Sequence, residues 1–123
     1  MQRTSMFRAV ASLALAMVAS AAFAHALLET AVPPVGGAVR ASPKEIRIKF
    51  SEAVEPRFSG ITLATEAGVA QPTGKPGLDP ADASVLIVTI DQPLKPGVYA
   101  VTWHAVSVDT HKTRGSFNFT VAP

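Results

Sequence analysis

Downstream of residue 25, apolar and polar positions alternate in a way that predicts strands almost throughout. In Glu45-Ile46-Arg47-Ile48-Lys49-Phe50 the three apolar residues fall on one face and the three charges on the other. Ser116-Phe117-Asn118-Phe119-Thr120-Val121 repeats the pattern. A period of two marks a strand with one buried face. Residues 60–64, 84–90 and 97–106 are rich in β-branched and aromatic side chains and read as further strands, with residues 26–30 as a short first one. Turn chemistry separates them at Pro33-Pro34-Val35-Gly36-Gly37, Ser42-Pro43, Glu66-Ala67-Gly68 and residues 91–97. Residues 71–83, with three prolines and two glycines, form the longest expected loop. No stretch holds a helical period. The expectation is all-β: a Greek-key β-sandwich or barrel of about seven strands, cupredoxin-like or immunoglobulin-like, with Trp103, Phe117 and Phe119 in its core.

The first 24 residues follow a different rule. A basic start (Arg3, Arg8), an apolar run over residues 9–18 and the small-residue exit Ala22-Phe23-Ala24 make a secretory signal peptide. The run is shorter than the roughly 20 apolar residues of a membrane-spanning helix. The expected division is therefore 1–24 signal peptide and 25–123 a single exported domain, periplasmic in a bacterium. Cuts elsewhere within residues 21–26 would instead leave Phe23 or Ala26 first.

Cleavage also changes the charge. Loss of Arg3 and Arg8 takes Lys+Arg from 11 to 9, equal to the 9 Asp+Glu, so the mature domain is neutral and the basic pI belongs to the signal. Nucleic-acid binding and a polybasic membrane patch lose support. Met1, Met6 and Met17 leave as well, and the chain has no cysteine. A domain without sulfur stands on packing alone. Any metal site in it must use nitrogen and oxygen, because the soft ligands that hold Cu(I) are missing.

Candidate chemistry centres on His25, Asp109 and His111. As residue one, His25 would offer its α-amine and its imidazole to one ion, a chelate closed to an internal histidine. Asp109 and His111, two apart in extended backbone, project to the same side with Cα atoms about 6.6 Å apart. Mixed nitrogen and oxygen ligation suits Cu(II), which also tops the divalent affinity series, while Zn(II) could use the same donors in tetrahedral form. Because protons compete for the same nitrogens, affinity is expected to fall with falling pH. A D-x-H triplet by itself more often marks a solvated turn. His104 reads as a surface histidine of a strand, on the face opposite Trp103, with an auxiliary metal role as the alternative. Ser107, Asp109 and His111 are ordered wrongly for a hydrolase relay, in which histidine lies between serine and acid. Glu52 and Glu55 flank the Pro56 turn and most simply solvate it. With no phosphate loop, zinc-protease motif or cysteine nucleophile, an enzyme is not expected.

Together these segments resemble the CopC family of periplasmic copper-binding proteins. The resemblance rests on a signal ending before His25, Pro34-Val35-Gly36-Gly37-Ala38-Val39, Pro43, and Ile46 to Val54 with its Phe50-Ser51-Glu52 element. It continues through Pro56, Phe58, Ser59, Pro96-Gly97-Val98-Tyr99, Val101-Thr102-Trp103, Val106-Ser107, Asp109, His111 and Gly115-x-Phe117-x-Phe119. It implies one Cu(II) ion per chain held by His25, Asp109 and His111, a role in copper homeostasis or resistance, and a CopD-like inner-membrane copper transport protein as partner. Some members carry a second, methionine-rich Cu(I) site, for which the mature chain has no residues. Thr110 and Lys112 depart from the family's D-G-H-P-like wording. Two rival readings remain: a copper-dependent oxidative enzyme with an N-terminal histidine brace, and a metal-free β-sandwich assembly module.

Overall fold

The structure, a computed structural model, describes residues 25–123; the expected signal peptide lies outside the described residues. Alternation becomes architecture most directly in β3 (Glu45–Phe50), where Ile46, Ile48 and Phe50 are fully buried and the charged residues between them are not. In chain order the other strands are β1 (Leu28–Val32), β2 (Ala38–Val39), β4 (Gly60–Thr65), β5 (Ala70–Gln71), β6 (Gly77–Asp79), β7 (Asp82–Thr89), β8 (Gly97–Val106) and β9 (Lys112–Val121). They form a four-stranded sheet, β1-β3-β7-β6, and a five-stranded sheet, β2-β9-β8-β4-β5. The chain changes sheet after β1, β2, β3, β5 and β7, which produces the crossovers of a Greek-key sandwich.

The two inner faces share one core. Phe50 of the first sheet meets Trp103 of the second edge-on, ring centroids 5.1 Å apart, and Tyr99 stacks on Phe119 at 5.7 Å. Truncating a buried aromatic such as Phe50 or Phe119 to alanine costs about 3–5 kcal/mol. Gly115 faces Trp103 across the β8–β9 ladder; a Cβ there would lie 2.7 Å from the indole, so only glycine lets the ring settle against the sheet.

The all-β expectation is met, with nine strands among the described residues where about seven were expected. The extra elements are short. One of them, β6, runs through the segment read as a loop, and β5 and β7 take its ends. Leu78 explains this: it pairs with Leu86 of β7 and packs on the core, so one apolar residue draws a proline-rich segment onto the sheet edge.

Candidate metal centre

Strands β8 and β9 form a continuous antiparallel hairpin from Gly97↔Val121 to Val106↔Lys112, and residues 107–111 are its turn. Ser107 continues the inward parity of Tyr99, Val101, Trp103 and Ala105 and is 0% exposed. A buried hydroxyl requires partners, and Ser107 organises the turn around itself. Its amide donates to the His111 carbonyl (2.9 Å), and its Oγ accepts from the His111 amide (3.2 Å) and donates to Asp109 Oδ1. Thr110 N–H closes the turn on the Ser107 carbonyl at 2.8 Å. Thr110 has φ +73°, the left-handed region disfavoured for a β-branched residue, and its hydroxyl donates to the Asp109 carbonyl (2.5 Å). The turn is tied to the body through Val108 N–H to the Ala53 carbonyl and a bridge between Ser107 and Val54.

The start of the domain is fastened beside this turn. Ser51 Oγ donates to the His25 carbonyl (3.0 Å) and accepts from Leu27 N–H (2.9 Å), while Ser51 N–H donates to the Leu27 carbonyl (2.8 Å). Thr113 of β9 donates to the Ala26 carbonyl at 2.7 Å, and Ala26 is buried in the core. His25 itself stays exposed.

These ties bring together the three residues singled out in the sequence. The His25 and His111 rings lie 4.8 Å apart between centroids, and His111 Nδ1 is 3.3 Å from Asp109 Oδ1. The Ser107 hydroxyl, with His111 beside it, holds the Asp109 carboxyl below the usual carboxylate range, so the oxygen is kept ionised. The side chains of Asp109 and His111 are both close to half exposed, which leaves them open to an ion from solvent. Among the described residues no three His, Cys, Asp or Glu side chains are already closed around one point. The donors lie next to one another rather than pre-formed as a cage.

Ser107 is therefore no nucleophile: its hydroxyl is committed to Asp109 and to the turn. His104 lies on the outer face, as its parity predicts, across from Arg114 on β9 and over Gly60 on β4. Arg114 beside it disfavours a cation there. Sequence reasoning missed the supports Ser51, Ser107 and Thr113. Only Ser107 carried a usable signal, a polar residue at an inward position.

Residues 28–122 match the family model of the CopC domain. The chain is 39% identical over 113 residues to Protein YobA of Escherichia coli strain K12, covering 92% of this chain and 91% of that one. It is 36% identical over 124 residues to copper resistance protein C of Xanthomonas campestris pv. juglandis, covering 94% and 97%. The crystal structure of PcoC, a methionine rich copper resistance protein from Escherichia coli, superimposes with a TM-score of 0.70 at 35% identity, covering 80% of this chain and 99% of PcoC. The sandwich is thus that of copper resistance proteins, not of an enzyme class. The chain belongs to the CopC family.

Proposed function

We propose that the mature chain begins at His25 and binds one Cu(II) ion in the periplasm. The ligands are the α-amine and imidazole of His25, the carboxylate of Asp109 and the imidazole of His111. The protein buffers copper or passes it to a membrane partner of the CopD kind. The observation that supports the reading is the meeting of His25 with His111, whose rings lie 4.8 Å apart although 86 positions separate them in the chain. Two imidazoles, an amine and a carboxylate make a nitrogen-rich tetragonal set, which favours Cu(II). The methionine rich relative differs on this point, since every methionine here lies within residues 1–24.

The deciding experiment compares the mature chain with one bearing a single additional alanine before His25, which leaves the imidazole and converts the amine to an amide. Cu(II) titration followed by EPR should give one nitrogen-rich tetragonal site in the first. In the second, affinity should be at least about tenfold weaker, as expected when a chelate loses one arm. Equal affinity and identical spectra in both would remove the amine from the site. An intact mass that retains residues 1–24 would remove the reading altogether.

A further inference from the structure

Next to the 107–111 turn, the outer face of the five-stranded sheet forms a groove of about 700 Å³ lined by Phe58, His104, Val106, Thr110, Lys112 and Arg114. Its floor follows from register. His104 is opposite Arg114, and Val106 is opposite Lys112, so both cations and the imidazole emerge on one face. Gly60 lies beneath the imidazole: a Cβ on it would come within 2.6 Å of the His104 ring as it stands. Phe58 forms the far wall at 60% exposure, with the Arg57 guanidinium 5.8 Å from its ring centroid.

Two properties mark this groove as a surface built for a partner. The first is an aromatic ring left largely exposed in the turn that precedes β4. The second is uncompensated charge. The lining contains no carboxylate, and none of the four ion pairs among the described residues involves Arg57, Lys112 or Arg114. Three of the nine cations of residues 25–123 surround one exposed aromatic ring, which presents a complement to acidic chain with an apolar residue in it.

We propose that this groove docks an acidic segment of a partner protein, its carboxylates on Lys112 and Arg114 and an apolar side chain against Phe58 and Val106. The docking stands without copper. Its consequence for copper, that the docked partner lies beside exposed His111, rests on the proposed metal site.

The test is an NMR titration of the mature, copper-free chain with the peptide acetyl-Asp-Glu-Phe-Asp-Leu-Glu-amide. Shifts should concentrate at Phe58, His104, Val106, Lys112 and Arg114 and shrink as salt is raised. The variants Arg114→Glu and Phe58→Ser should each weaken the peptide about tenfold. The Asn/Gln version of the peptide should not bind. Cu(II) affinity of Arg114→Glu should stay at the parent value, so failure of the docking surface and failure of the metal site register separately. Absence of binding, shifts located elsewhere, or indifference to Arg114→Glu would overturn the proposal. So would citrate reproducing the same shifts at equal affinity, or phosphatidylglycerol vesicles competing for the face, since the first defines a small-anion site and the second a lipid surface.

Discussion

The two outer faces of the sandwich treat charge in opposite ways. On the four-stranded sheet, Arg47 bonds both Glu45 and Asp79, and Lys49 reaches Asp82 and the Ser84 hydroxyl. Every cation on β3 is closed by a carboxylate from its own strand or from the β6–β7 edge. On the five-stranded sheet, Lys112 and Arg114 stand beside an exposed ring without such partners, and the adjoining turn keeps its imidazole and carboxylate facing outward. Matched charges bind strands to one another. Unmatched ones stay available to something outside the molecule.

The largest effects should come from breaking the outward-facing donors. In the mature chain, His111→Ala and His25→Ala should each weaken Cu(II) by at least about 100-fold, as for loss of a ligand rather than of its support. Unfolding without metal should change little, because both side chains are exposed. Isothermal titration with a competing chelator, beside a thermal melt, separates the two quantities. Arg47→Ala should do the reverse, leaving copper affinity alone and lowering the melting temperature. If Arg47→Ala impaired copper binding as strongly as His111→Ala, the division between the faces would collapse.

Ser107→Ala should fall between these. It strips Asp109 of its hydroxyl donor and leaves the part-buried His111 amide short of an acceptor, at a cost of about 1–2 kcal/mol in urea unfolding. Copper affinity should drop about tenfold through misplacement of the carboxylate. Full affinity in a folded Ser107→Ala protein would show that the turn needs no such support.

The paired face should also show itself in acid. Ser84, through its hydroxyl and its amide, and Lys49 hold the Asp82 carboxyl down to about 2, and the Ala81 amide with Arg47 holds Asp79 below its usual value. A carboxyl depressed in the folded state stabilises fully above its ordinary value. That stabilisation is lost as pH falls from about 4 towards 2, because the unfolded chain takes up the proton first. Urea midpoints measured across that window should fall, and less steeply in Asp82→Asn. Equal slopes in the two proteins would deny the pair its role.

The smallest effect concerns Thr110. Glycine at φ +73° removes a steric cost of about 1–2 kcal/mol, offset in part by greater freedom in the unfolded chain. Thr110→Gly should therefore melt slightly higher, by a degree or two, with copper affinity nearly unchanged. A lower melting temperature would mean that the Thr110 hydroxyl contributes more than its backbone costs.

The sequence made the strands legible wherever burial was one-sided, because parity alone decides what faces inward. It placed β3 and β8 to the residue and put His104 outside. It did not reveal β6, whose membership of the sheet depends on Leu78 finding Leu86. Nor did it reveal the unbalanced outer face: the charges of residues 25–123 cancel in sum, and only the pairing of β8 with β9 shows that they do not cancel in place. The candidate ligands could be named because their chemistry is rare in this chain. Their supports could not, since Ser51 and Thr113 act across 26 and 87 positions on the main chain, where side-chain identity carries little information.

If the chain matures as proposed, those same bonds at Ser51 and Thr113 make its first residues a gauge of where it was cut. They fix where residues 25–27 lie whatever precedes them. A chain begun at Phe23 would still hold its imidazole beside His111, yet its amine would be displaced by two residues, as much as about 7 Å. A chain begun at Ala26 would have its amine nearby and no imidazole. With the proposed site, the sandwich would set the tolerance of that cut at zero residues: an error that leaves the fold untouched would separate the two nitrogens proposed to share a single ion.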